Sequence, residues 1–131
     1  MKRKCEHIIS SVDGKRAIYI DSLNKNEILE YINRDKRHQG KFRYIVEIIL
    51  GGYKNTSLYD KEDINEKCKD VTAMKFFKGQ ENDRIYCKEI HTQQGVFIVV
   101  TSILYEHKKG TRLSSKEIAL IERVGGYEYE I

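Results

Sequence analysis

The 131-residue chain contains no proline and no tryptophan. Without proline it has neither a stiff extended linker nor a proline-rich loop domain. Cysteine is sparse. Cys5, Cys68 and Cys87 are odd in number, form no CxxC pair and lie far apart. That argues against a disulfide framework and fits a reducing compartment. Neither these cysteines nor His7, His38, His91 and His107 have the local spacing of a zinc site. The acids between Asp60 and Asp70 lack the DxDxDG pattern of a calcium loop. There is no P-loop, no GxGxxG and no HExxH. No metal and no cofactor is expected. Long apolar runs are missing too. A membrane span needs roughly 20 apolar residues in a row, and the apolar stretch in MKRKCEHIIS is too short for a secretory leader. The expectation is a soluble cytoplasmic protein with no membrane partner.

What is present describes a globular chain. Hydrophobic residues make up 40% and charged residues 34%, the balance of a folded domain rather than a disordered one. The length suits one domain, residues 1–131, with one hydrophobic core. The net charge of +4 is a modest bias toward anionic partners. Its distribution says more. Most of the excess of lysine and arginine precedes Gly51, acids crowd into Asp60–Asp70, and bases gather at Lys108, Lys109, Arg112 and Lys116.

Periodicity outlines the elements. Residues 5–12 read as a weak strand, Asp13-Gly14 as a turn, and RAIYID as a strand with Ile18 and Ile20 on one face and Ala17 and Tyr19 on the other. Residues 1–15 therefore contribute an extra N-terminal strand, which the Asp13-Gly14 turn would join to RAIYID as a hairpin. Asn24 to Glu27 has the form of a capping box, opening a short helix with Ile28, Leu29, Tyr31 and Ile32 on its apolar stripe. After a polar break at Arg34–Gln39, Phe42, Ile45, Val46 and Ile49 mark a second helix, ended by Gly51-Gly52. The span from Lys54 to Lys69 reads as a surface loop with a helical turn at Lys61–Cys68. Three strands with short turns follow, at Val71–Phe77, Arg84–His91 and Val96–Tyr105, the last apolar enough to be buried on both faces. Ser114 to Glu117 is a second capping box, leading a helix that Gly125-Gly126 closes. The tail YEYEI alternates, as an edge strand or a surface segment. The fold class expected is α+β: an N-terminal helical hairpin packed on a twisted antiparallel sheet, with a C-terminal helix.

Alternation along the arginine strand puts Arg84, Tyr86 and Lys88 on one face and Ile85 and Cys87 on the other, toward the helices. Cations in such a row suit phosphate, and the phenol suits stacking on a base. His107, Lys108, Lys109 and Arg112 follow the central strand directly, where the chain leaves the sheet. Lysine and arginine there would neutralise a phosphorane, and histidine would move protons near neutral pH.

Three stretches, MKFFKG (Met74–Gly79), NDRIYCKEI (Asn82–Ile90) and HKKGTRLSSKEIALIERV (His107–Val124), carry a family resemblance. From the first helix to Val124 the chain resembles the RelE/ParE superfamily of bacterial toxins, nearest to its HigB-like branch. The resemblance implies the toxin of a type II toxin–antitoxin system: a ribosome-dependent, metal-independent mRNA endoribonuclease, partnered by the ribosome, mRNA and a cognate antitoxin of helix-turn-helix type. It implies catalytic roles for Arg84, His107, Lys108 and Lys109, and RNA contacts by Tyr86, Lys88, Lys75, Lys78 and Arg112. Two alternatives stand beside it: a ParE-like gyrase-inhibiting toxin, and a non-catalytic phage-derived binding domain.

Overall fold

A computed structural model of the chain describes residues 2–62, 64–107 and 113–131. Seven strands form one sheet: β1 (Arg3–Ser10), β2 (Arg16–Asp21), β3 (Tyr59–Lys61), β4 (Val71–Phe76), β5 (Asp83–His91), β6 (Phe97–Tyr105) and β7 (Tyr129–Glu130), in the spatial order β3-β4-β5-β6-β2-β1-β7. The helices are α1 (Lys25–Ile32), α2 (Lys36–Gly51) and α3 (Ser115–Gly125), with a short 3-10 helix at Glu66–Cys68.

The expected layout of an N-terminal helical hairpin on an antiparallel sheet is overturned. The chain opens with a β-hairpin, β1–β2, and only then enters α1 and α2. The sheet is mixed. β4, β5 and β6 form the antiparallel meander, but β2 lies parallel to β6 and β7 parallel to β1. The reason is topological. No tight turn links β2 to β6: α1, α2 and strands β3 to β5 lie between them, and parallel neighbours need such a long connection. Alternation marks RAIYID as a strand without naming the strand it pairs with.

β6 is central because FIVVTSILY tolerates burial on both faces. Its neighbours divide the core in two. Ile18, Ile20, Met74, Phe76, Ile85, Cys87 and Val99 pack under Ile28, Tyr31, Ile45 and Ile49 of α1 and α2. On the opposite face Val71, Ala73, Tyr86 and Ile103 pack under Ile121 and Val124 of α3.

Local signals account for most element ends. Ser114 and Glu117 form the capping box of α3. Gly52 takes the left-handed conformation that ends α2. α2 starts earlier than the apolar stripe suggests, because Asp35 caps it through the His38 N–H. The expected capping box at Asn24 is absent, since its side-chain amide donates instead to the Ser102 carbonyl. The span Lys54–Lys69 has its helical turn as the 3-10 helix, on which the end of α3 rests, and also supplies an edge strand, β3, where only loop was expected. A Cβ at Gly125 would lie 1.8 Å from the Lys67 carbonyl oxygen, so only glycine permits that approach.

The two ends of the chain are joined through Asp21. Its buried carboxylate accepts two bonds from Arg3, at 2.8 and 3.0 Å, one from the Tyr129 hydroxyl at 2.7 Å, and the N–H groups of Leu23 and Asn24. Burial works against its ionisation, but the bonds from Arg3, Tyr129 and Asn24 outweigh it and hold the pKa below the usual aspartate value. Its stabilisation is thus complete above the unfolded-state pKa of about 3.9 and lost as pH falls through the lower folded value. Asp21→Ala strands Arg3 and the Tyr129 hydroxyl and should cost about 3–5 kcal/mol in urea unfolding at pH 7. The cost relative to wild type should shrink below pH 4 or so.

Candidate nucleic-acid interface

The predicted site residues gather mainly at one end of the sheet, where β4 finishes, β5 begins and β6 leaves. Lys75, Arg84 and Tyr105 stand side by side across these strands. Among the described residues, the three non-glycine residues with left-handed backbone, Phe77, Asn82 and His107, all lie here, at φ of 53°, 57° and 58°. Such conformations cost free energy in bulky residues and are held only by their surroundings.

Asp83 holds the last of them, His107, in place. Its carboxylate is buried, accepting the Tyr31 hydroxyl of α1 at 2.6 Å and the His107 backbone N–H at 2.8 Å. Burial and the Asp83 carboxylate raise the Tyr31 pKa, so the phenol keeps its proton and remains a donor. One acid thereby ties the start of β5 to α1 and to the turn after β6. Because Asp83 faces α1, Arg84 must face α3.

Alternation along β5 follows the sequence reading, but exposure does not. Ile85 and Cys87 face α1 and α2, and Arg84, Tyr86 and Lys88 share the other face. That face is covered by α3 rather than open to solvent. Arg84 is 6% exposed, and Nη1 donates to the Asp83 carbonyl at 3.2 Å. Burial lowers its pKa, against the raising influence of Tyr86, Glu62, Glu117 and Asp83. Tyr86 is 0% exposed, so in this conformation its ring cannot stack on a base. Its hydroxyl has no hydrogen-bond partner among the described residues. Lys88, four residues along, donates to the Gly125 carbonyl at the end of α3 and is tied into the fold.

Lys75 is half-buried and donates to the Thr56 carbonyl at 3.0 Å, and burial lowers its pKa. Lys78 is exposed in the β4–β5 turn. His107 is exposed, with its backbone fixed by Asp83. Lys108, Lys109 and Arg112 lie outside the described residues. The structure thus brings Lys75, Arg84 and His107 to one corner, with Lys78 at its rim, and separates Lys88 from them.

Sequence reading missed the contribution of α2. Arg37 bridges to Glu81 at 3.0 Å and to Gln80 at 2.6 Å, and its guanidinium sits 3.5 Å over the Phe77 ring. Lys41 approaches the same ring, and Arg34 pairs with Glu106 at 2.8 Å. The start of α2 therefore extends the cationic corner across the β4–β5 turn. The cluster RDKRHQGK was visible in the sequence, but not which turn it would meet. His38 and His7, which lack zinc-site spacing, bond Asp35 at 2.6 Å and Ser10 at 2.7 Å. The spacing of Asp35 and His38, three residues apart at a helix start, is the signal that would have found the first pair.

Electrostatically the corner suits a polyanion, although Glu81 and Glu106 offset part of its charge. Among the described residues no group of three His, Cys, Asp or Glu side chains could hold a metal ion. No helix there is long and apolar enough to cross a membrane. Comparison with protein families, with curated proteins and with solved structures finds no match to the chain.

Tyr31→Phe removes one donor from the buried Asp83 carboxylate. It should cost about 1.5–3 kcal/mol in chemical denaturation. It should also speed hydrogen exchange at the His107 amide, while the Asp21 end of the molecule exchanges as in wild type.

Proposed function

We propose that this chain is a translation-inhibiting toxin: a ribosome-dependent mRNA endoribonuclease working in the cytoplasm, related to the RelE/ParE toxins and restrained by a helix-turn-helix antitoxin. One observation carries the reading. Lys75 and Arg84 are cross-strand neighbours at the sheet end where His107 emerges, and the left-handed residues cluster there. A cation row fixed by a rigid sheet, next to a titratable side chain on a turn, is a scaffold for phosphate chemistry.

The reaction would be an internal transfer. The RNA 2′-oxygen attacks the adjacent phosphorus, its proton passing to a base, and the bond to the 5′-oxygen breaks as that oxygen takes up a proton. A cyclic phosphate and a 5′-hydroxyl result. Arg84 would neutralise the charge that builds on the phosphoryl oxygens, and His107 would carry a proton. Lys78 and the cations of α2 would hold the flanking backbone through salt-sensitive contacts. Lys108, Lys109 and Arg112 follow His107 in sequence and would add charge for binding the phosphate.

The burial of Arg84 and Tyr86 favours a second reading, a domain that binds RNA or a protein without cutting it. One comparison separates the two. Induced expression of wild type should arrest growth and leave cleaved ribosome-bound mRNA. Arg84→Ala, with an unchanged melting temperature, should cut about 100-fold less or worse. RNA binding without cleavage by the wild type would select the non-catalytic domain, and full activity in Arg84→Ala would remove that residue from the site.

A further inference from the structure

A sheet face lying beneath a helix is ordinarily apolar, yet β5 offers Arg84, Tyr86 and Lys88 to α3. Two of these sit poorly satisfied. The Arg84 guanidinium has five donors, and among the described residues it makes a single hydrogen bond, to its neighbour's carbonyl. The Tyr86 hydroxyl makes none. Polar groups left so under cover cost stability, and native cores seldom keep them without a reason. The helix above supplies charge instead. Glu117 is 1% exposed on the inward side of the first turn of α3. At the far end of the helix, Lys88 meets the Gly125 carbonyl, where the helix dipole favours a cation. α3 is therefore tied to this strand face at its far end through Lys88, and at its near end the Glu117 charge is felt by Arg84.

We infer that α3 is a displaceable cover, in which Glu117 supplies the negative charge that an RNA phosphate supplies once the helix moves away. Arg84 and Tyr86 then meet RNA only in the open form. The inference rests on the proposed RNA role of Arg84. It also explains why a strand face suited to phosphate is buried beneath α3.

The chain carries its own probes. Cys68 is 0% exposed within the cluster beneath α3, and Cys87 is 0% exposed on the opposite face beneath α1 and α2. In a Cys5→Ser background, labelling of Cys68 by a thiol reagent reports opening of α3, and labelling of Cys87 reports opening of the main core. Glu117→Gln is the discriminating variant. Glutamine also serves at the third position of a capping box, so the bonds to Ser114 are kept and only the charge is lost. It should speed Cys68 labelling about five-fold or more with the Cys87 rate unchanged, and tighten binding of a fluorescent single-stranded RNA oligonucleotide by a similar factor. An unchanged Cys68 rate, or Cys68 and Cys87 accelerating together, would overturn the cover whatever the RNA does. If Cys68 responds as expected but neither protein binds the RNA, the cover stands and the RNA reading of Arg84 fails.

Discussion

The carboxylate of Asp83 is the constraint on which the candidate site depends. It is buried among α1, β5 and the turn after β6, and it accepts a donor from each side: the Tyr31 hydroxyl and the His107 N–H. A buried acid is stable only where its hydrogen bonds are met, so its partners have little freedom to move. Strand geometry then does the rest. With Asp83 turned toward α1, Arg84 must turn toward α3 and stand between Lys75 and Tyr105. His107 is held in a left-handed conformation that an unconstrained chain would rarely adopt. Asp21 plays a comparable part elsewhere, joining β1, the start of α1 and the C-terminal strand.

The same alternation that sorts β5 creates a conflict on its second face. Val71, Ala73, Ile103, Ile121 and Val124 make a sound apolar contact between sheet and helix. Arg84, Tyr86 and Lys88 run through it. The apolar contacts favour closure of α3, while the buried guanidinium and a phenol with no hydrogen-bond partner among the described residues oppose it. A helix balanced in this way can be shifted by a ligand that binds one state better than the other. Around the corner, the start of α2 adds cations that sit over Phe77, outside the core and open to solvent.

Much of the secondary structure was legible because it depends on local chemistry. The alternation of RAIYID, the apolar run of β6, the Ser114–Glu117 box and the glycines after α2 each act within a few residues. What was not legible depends on partners distant in sequence. The parallel pairing of β2 with β6 is made across two helices and three intervening strands, which no local pattern encodes. Asn24 reads as a cap until Ser102, far along the chain, takes its amide. The polar face of β5 reads as solvent-exposed until α3 is placed on it. Asp83 drew no notice because a single acid at the start of a strand is ordinary in sequence. Its importance comes from Tyr31 and His107, which are remote from it along the chain.

The central claim is that this corner acts on RNA phosphate during translation. The most direct measurement is a cell-free translation reaction programmed with one defined mRNA and supplied with the purified chain, with RNA ends mapped by primer extension. The account predicts that protein synthesis stops and that new 5′ ends appear within the coding region only when ribosomes are present. Intact mRNA with normal protein yield would contradict it.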